Sequence, residues 1–173
     1  MESRITIRRL LHQIMTDAIT EGCYHGRVQD GVKNASVWLA KFNDEYSIKT
    51  GMKIFPGSLN VQTSIPFKMI NAIESTPQDA EIQNQHSRYQ IVLMRKEEYN
   101  GERDILMVPC TISKSGYDHK KKAFIWRTTN ADKGSCGSNP AHYTLEIITD
   151  TKLRDYFNMQ TGDEVTITLQ DSQ

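Results

Sequence analysis

The chain has 173 residues, and its 21 lysines and arginines balance 21 aspartates and glutamates, so the formal net charge at pH 7 is zero. With 38% hydrophobic and 24% charged residues, the composition is typical of one globular domain and excludes disordered and fibrous proteins. A neutral chain lacks the positive field on which non-specific nucleic-acid binders depend, so we expect no nucleic-acid partner.

The sequence indicates neither secretion nor insertion into a membrane. Charged and polar residues interrupt the N-terminal region, which excludes the apolar core of a signal peptide, and no apolar run approaches the ~20 residues that span a bilayer. Cys23, Cys110 and Cys136 are odd in number and widely spaced, which favours reduced thiols over a disulfide framework or a zinc site. We therefore expect a cytoplasmic protein that binds no membrane.

The first predicted element is a helix from about Ile5 to Thr20. Its apolar residues recur at spacings of three and four, which places them on one helix face. Such a face packs against its own domain or docks a partner, and packing is the more common role. We expect residues 1–22 to form this amphipathic helix and residues 23–173 to form the main domain.

Beyond Gly22 the chain consists of short segments rich in β-branched and aromatic residues, separated by turn-forming residues. Many short strands at this spacing favour a small closed β-barrel, because closure removes the unpaired strand edges of an open sheet. The predicted fold is therefore mainly β, a single barrel with short peripheral helices. The predicted strands are Cys23–Gln29, Ala35–Lys41, Gly57–Thr63, Tyr89–Lys96, Asp104–Ile112, Ala123–Trp126, Leu145–Ile148 and Glu164–Leu169; the short helices are Asn43–Thr50 and Thr151–Phe157; and the surface loops are Glu74–His86 and Asn130–Pro140.

The first candidate site lies at the start of the third predicted strand. A Pro-Gly pair favours a tight turn there, and alternation along the strand places Ser58 and Asn60 on one side and Leu59 and Val61 on the other. A hydroxyl and an amide carbonyl so placed can supply two oxygen ligands to Mg²⁺. Two polar side chains that simply face solvent beside a turn have the same spacing, and spacing alone favours that interpretation.

The second candidate site is the predicted helix Thr151–Phe157. If Asp150 or Thr151 caps this helix, its free backbone N–H groups and its positive dipole end form an anion site, to which Lys152 and Arg154 add charge. An ordinary capped surface helix has the same residues, and taken alone that interpretation is preferred. A weaker third signal is Gly26–Ala35, a strand that leads into a glycine-containing loop without a complete nucleotide-binding fingerprint.

In this order, the three segments resemble the CTP-dependent riboflavin kinases of the archaeal type, a family with a cradle-loop barrel. The most specific feature is Gly57–Val61, which reads Gly-Ser-Leu-Asn-Val and is similar to the family's Gly-Thr-Leu-Asn. The resemblance covers residues 26–169 and leaves out the N-terminal helix. The other matching segments are Asn100–Arg103 before Val108-Pro109, Glu146–Ile148, Lys152–Arg154, Phe157–Met159 and Gly162–Val165.

The resemblance implies transfer of the γ-phosphate of CTP to the 5′-hydroxyl of riboflavin, which gives FMN and CDP and requires Mg²⁺. It implies Mg²⁺ ligation by Ser58 and Asn60, with Asn60 and Glu146 as the catalytic residues. Small molecules are the expected partners, with no nucleic acid and no membrane, and we expect a monomer or a small homo-oligomer. The implied nucleotide contacts are Val32, Lys33, Asn34, Thr151, Lys152, Leu153 and Arg154, and the implied flavin contacts are Ser138 and Glu146.

The first nucleotide loop departs from the family's pattern. The family has a glycine-rich run followed by an aromatic residue, whereas residues 32–37 read Val-Lys-Asn-Ala-Ser-Val. Side chains at Lys33 and Ala35 restrict positive φ angles and stand between the backbone amides and a nucleotide. A second interpretation therefore stays open, a barrel that binds flavin or another small ligand without catalysis, as a sensor or regulatory module.

Overall fold

The computed structural model describes residues 22–31, 35–67, 76–128 and 143–171. The predicted N-terminal helix, the loop Asn130–Pro140 and the predicted site residues Val32, Lys33, Asn34 and Ser138 lie outside these ranges. No helix in the described part of the chain is long and apolar enough to cross a membrane.

The described residues form one antiparallel sheet that closes into a barrel. Its strands are β1 (Cys23–Gln29), β2 (Leu59–Thr63), β3 (Val92–Met94), β4 (Ile105–Lys114), β5 (Lys121–Thr128), β6 (Thr144–Ile148) and β7 (Glu164–Leu169). The barrel order is β1-β2-β6-β5-β4-β7, and it closes because β7 pairs with both β1 and β4. The short β3 pairs with the first residues of β4, beyond the part that β7 covers. The prediction of a small closed β-barrel is confirmed.

Alternation along the strands fills the interior of the barrel with apolar side chains. In β7, Val165, Ile167 and Leu169 are buried, while the residues between them are partly exposed. In β2, Leu59 and Val61 are buried in the same cluster. Because apolar burial is the main favourable term in folding, this alternation fixes which face of each strand points inward.

Short helices lie outside the barrel, and three of them contribute side chains to a second apolar cluster. The helices are α1 (Ala35–Lys41), α2 (Asn43–Thr50), α3 (Pro77–His86), α4 (Lys96–Tyr99) and α5 (Leu153–Tyr156). Leu39 of α1 and Tyr46 of α2 pack against outward-facing side chains of β4 and β5, among them Met107 and Trp126. The barrel therefore has a packed interior and a second core beneath α1 and α2.

A buried hydrogen bond connects α2 to the barrel. The indole Nε1 of Trp126 donates to the Tyr46 hydroxyl over 2.9 Å. Tyr46 is only 1% exposed, and this burial raises the pKa of its hydroxyl, which stays protonated. At the first residue of α2, the Asn43 amide donates to the backbone carbonyl of Ile54 over 2.6 Å, which fixes the chain leading into β2.

The strand predicted at Ala35–Lys41 is wrong, because this segment forms helix α1. Ala35 and Leu39 are four residues apart, so a helix places both on the face that packs on the second cluster. A short segment with several apolar residues fits both the strand and the helix period, and here the packing decides between them.

The loop predicted at Glu74–His86 is also wrong, since Pro77–His86 forms helix α3. Thr76 and Asp79 form a capping box, in which the Thr76 hydroxyl accepts from the Asp79 backbone N–H over 3.2 Å and the Asp79 carboxylate accepts from the Thr76 N–H over 2.8 Å. The strand predicted at Tyr89–Lys96 is reduced to Val92–Met94, because Lys96 begins α4.

We expect Tyr46→Phe to lower the free energy of unfolding by about 1–3 kcal/mol, because the buried Trp126 N–H then loses its acceptor. Urea unfolding followed by circular dichroism measures this change. Tyr117→Phe is the matched control, since Tyr117 is 40% exposed, and we expect it to change the free energy by less than about 0.5 kcal/mol. Equal effects of the two substitutions would show that the buried hydrogen bond contributes nothing.

Candidate functional site

A cleft of about 670 Å³ opens on the outside of the barrel, between α1, the ends of β1, β2 and β6, and the chain before α5. Seven of the eleven predicted site residues line it, and the other four lie outside the described residues. The seven are Ser58, Asn60, Glu146, Thr151, Lys152, Leu153 and Arg154. Segments that are far apart in the sequence thus meet in one cleft.

Strand pairing explains why Asn60 and Glu146 are neighbours. In the antiparallel pair β2 and β6, Asn60 stands opposite Glu146. Gln29 of β1 continues the row beyond Asn60, and Trp126 of β5 continues it beyond Glu146. Because directly paired residues lie on the same face of a sheet, these four residues form one row across the outer face of the barrel. The row runs from the cleft to the apolar cluster beneath α2.

The predicted alternation around Ser58 and Asn60 is confirmed. Leu59 and Val61 are buried in the barrel interior, with exposed fractions of 5% and 0%. Ser58 and Asn60 are partly exposed and line the cleft. The same alternation that fills the barrel therefore presents a hydroxyl and an amide together on the outside.

Two buried oxygen atoms of cleft residues have no hydrogen-bond partner among the residues described. They are Asn60 Oδ1 and Thr151 Oγ1. A buried polar atom without a partner costs about 1–3 kcal/mol, so such atoms are rare and call for an explanation. Because both residues line the cleft, both oxygens are candidate contacts for a polar ligand or a cation.

Gly31 leaves space for the amide of Asn60. A Cβ atom placed on Gly31 would stand 1.7 Å from Asn60 Nδ2, far inside van der Waals contact. The amide of Asn60 therefore lies directly against the backbone at the end of β1. Only glycine at position 31 permits this arrangement.

Glu146 is a partly exposed carboxyl whose pKa is raised. Desolvation by the surrounding protein raises this pKa, and the positive charge of Arg127 lowers it only in part. Arg127 itself is 4% exposed, and its guanidinium lies 5.9 Å from the ring centroid of Phe67. A carboxyl with a raised pKa is a better proton acceptor near neutral pH than an ordinary glutamate.

The segment Thr151–Arg154 lines the cleft, but it does so without a capped helix. Helix α5 is only four residues long, and Lys152 occupies its N-cap position without a side-chain capping bond. The helix predicted at Thr151–Phe157 is reduced to Leu153–Tyr156. The condition that Asp150 or Thr151 caps it is not met, since Asp150 pairs with Lys121 at 2.6 Å and Thr151 Oγ1 is buried without a partner among the described residues. So short a helix has little dipole, and the positive charge at this wall comes from the side chains of Lys152 and Arg154.

The predicted Mg²⁺ ligands fit a hard cation. The described residues contain no group of three or more His, Cys, Asp or Glu side chains that could hold a metal, and the predicted ligands are of another type. The Ser58 hydroxyl and the Asn60 amide oxygen are oxygen donors that share one cleft. Mg²⁺ accepts a few protein oxygens and takes its remaining ligands from water and phosphate.

Some cleft residues were missed by the sequence analysis. Asp30 and Gly31 follow β1 directly, and Phe55 and Thr149 also line the cleft. The available signal for the first pair was an Asp-Gly step at the end of a predicted strand, within the segment Gly26–Ala35.

A comparison of the sequence with models of known protein families finds no match, and a comparison with curated proteins finds no significant match. The resemblance to the riboflavin kinases therefore depends on the motifs and their order.

We expect Glu146→Gln to stabilise the protein increasingly as the pH rises from about 4 to about 8. The raised pKa means that the folded state binds the Glu146 proton more tightly than the unfolded state does. Stability is therefore lost as the pH rises through the folded-state pKa of Glu146. Glutamine cannot ionise, so this loss is absent from the variant.

Thermal unfolding of both proteins at several pH values measures the difference in Tm. Glu97→Gln, at an exposed position on α4, is the control. A Tm difference between wild type and Glu146→Gln that stays constant or reverses with rising pH would contradict the assignment.

We expect Gly31→Ala to displace the side chain of Asn60 while the barrel stays folded, because the atom that must move is the end of a flexible side chain. The side-chain amide resonances of Asn60 in ¹⁵N-labelled protein, assigned with Asn60→Ala, report the displacement. Thermal unfolding checks that the fold persists. Unchanged Asn60 amide resonances in folded Gly31→Ala protein would show that the two residues are not in contact.

Proposed function

We propose that this chain is a Mg²⁺-dependent kinase that transfers the γ-phosphate of CTP to the 5′-hydroxyl of riboflavin and releases FMN and CDP. One observation carries the proposal. The residues that the motifs assign to metal, nucleotide and flavin come from separate segments, and every described one of them lines the same cleft. A chance similarity of short motifs gives no reason for those segments to meet.

Phosphoryl transfer requires alignment of the acceptor alcohol with the γ-phosphorus and neutralisation of negative charge. Ser58 and Asn60 would hold Mg²⁺, which supplies positive charge to the phosphate oxygens when bound. Lys152 and Arg154 add positive side chains at the neighbouring wall of the cleft. The buried Thr151 hydroxyl, which has no partner among the described residues, can donate to a phosphate oxygen.

Glu146 is assigned to the acceptor alcohol. It stands directly opposite Asn60 across the β2 and β6 pair, so an alcohol held by Glu146 is close to the metal ligands. Its raised pKa suits a group that orients a hydroxyl and accepts its proton near neutral pH. Phe55 is partly exposed, lines the same cleft and offers apolar surface to the flavin ring.

The reaction is assigned to the cytoplasm. Cys23 and Cys110 are free thiols in the described part of the chain, as expected in a reducing compartment.

We expect the purified protein to form FMN from riboflavin, CTP and Mg²⁺, and we expect Ser58→Ala and Asn60→Ala to lower kcat/KM by about 100-fold or more. Chromatographic separation of FMN from riboflavin measures the rate, with ATP, GTP and UTP tested in parallel. Ser64→Ala is the control, because Ser64 is exposed just beyond the other end of β2. Wild-type rates in both variants would refute the metal assignment.

A second candidate function, binding of flavin without catalysis, is favoured by one observation. Ala35 and Ser36, where the riboflavin kinases have a glycine-rich loop, belong to helix α1 and line the cleft. Calorimetry with riboflavin, FMN, CTP and ATP separates the two functions. Tight binding of riboflavin or FMN, with no heat of binding for CTP or ATP, would contradict the kinase and support a flavin-binding module.

A further inference from the structure

Asp30 and Thr161 hold the guanidinium of Arg154 at the edge of the cleft. Arg154 Nη2 donates to the Asp30 carboxylate and to the Thr161 hydroxyl, each over 3.2 Å, and to the backbone carbonyl of Gln29 over 3.4 Å. The Thr161 hydroxyl in turn donates to the Asp30 carboxylate over 2.7 Å. Acceptors from the end of β1 and from the turn before β7 therefore converge on one nitrogen atom.

The geometry leaves most of the guanidinium available. Among the described residues, every hydrogen bond of the Arg154 side chain uses Nη2. An arginine carries five N–H donors in a planar fork that matches phosphate. Because these bonds hold Nη2, they restrict the plane of the fork, while Nε and Nη1 have no hydrogen-bond partner among the described residues and can bind an anion.

The hydrogen bonds among Arg154, Asp30 and Thr161 add little to the stability of the fold. The side chains of Arg154 and Asp30 are 32% and 84% exposed, and ion pairs at such exposed positions contribute about 0–1 kcal/mol. The main effect of these hydrogen bonds is to fix the orientation of the Arg154 guanidinium. An arginine that is already held in place loses less side-chain freedom when it binds a phosphate.

We propose that Asp30 and Thr161 are positioning residues that hold Arg154 ready for the phosphate groups of a nucleotide. The identity of the nucleotide as CTP rests on the proposed function, whereas the orientation of Arg154 does not. The opposite effect of Asp30, competition with phosphate for Arg154, is also testable. If Asp30 competed with phosphate for Arg154, its removal would strengthen phosphate binding.

The test compares full-length wild type with Asp30→Ala, Asp30→Asn and Thr161→Val. Thr161 does not line the cleft, and valine preserves its shape while removing the hydroxyl. Glu81→Ala is the matched control, because Glu81 also pairs with an arginine, Arg95, and lies outside the cleft. Calorimetric titrations use two probes, CTP and inorganic tripolyphosphate.

We expect Kd for both probes to rise roughly 10-fold in Asp30→Ala and Thr161→Val. Asp30→Asn keeps an oxygen acceptor and should retain most of the affinity, and Glu81→Ala should bind as wild type does. In the kinase assay, KM for CTP should rise while KM for riboflavin stays unchanged, a split that a general structural defect would not produce.

Unchanged or tighter binding of both probes in Asp30→Ala and Thr161→Val would overturn the positioning role, and so would a wild-type protein that binds neither probe. A wild type that binds tripolyphosphate, weakened by Thr161→Val, but forms no FMN would support the positioning role and refute the kinase. Failure of the inference and failure of the proposed function are therefore distinguishable.

Discussion

The register of β2 against β6 is the constraint on which the cleft depends. Asn60 stands opposite Glu146, and Leu59 stands opposite Ile147. A slip of β2 by one residue would turn Asn60 into the barrel and Leu59 and Val61 outward. The buried side chains of Leu59, Val61 and Ile147 oppose a change of register, because exposing apolar side chains to water costs free energy. The apolar interior thus decides where the polar site lies.

Closure of the barrel brings the remaining segments to this pair. The backbone N–H of Val28 donates to the backbone carbonyl of Asp163 over 2.9 Å, and the backbone N–H of Gly162 donates to the backbone carbonyl of Val28 over 2.7 Å. These bonds join the end of β1 to the turn before β7, which places Thr161 and Asp30 beside Arg154. On the opposite side of Glu146, the row ends at Trp126, whose hydrogen bond to Tyr46 anchors α2. The cleft therefore lies between a closed sheet and a second apolar core.

Local sequence patterns were sufficient to predict some of the strands and helices but not all of them. The predicted bounds of β1, β7 and α2 agree with the structure. In β7 the apolar residues alternate with polar ones along the sequence itself, so the strand is recognisable without tertiary information. Helix α1 was mispredicted because its short apolar pattern fits both periods, and only packing on the second core distinguishes them. Helix α3 carried a local signal, the capping box between Thr76 and Asp79, beneath a polar composition that suggested a loop.

The candidate site was predictable in its residue types but not in its supporting contacts. Ser58, Asn60 and Glu146 were identified from the motifs and their order, and the strand register explains why they meet. The close approach of Gly31 to Asn60 and the contacts of Asp30 with Arg154 join residues distant in sequence. No periodicity or propensity encodes such contacts, since they arise only when the barrel closes.

The most direct measurement follows the terminal phosphate itself. CTP labelled with ³²P at the γ-position is incubated with riboflavin, Mg²⁺ and the purified chain, and the labelled products are separated. We expect the label to appear in FMN, in amounts equal to the CDP formed. Label that stays in the nucleotide or appears only as inorganic phosphate, with no labelled FMN, would contradict a cleft that holds the phosphate donor and the flavin alcohol together.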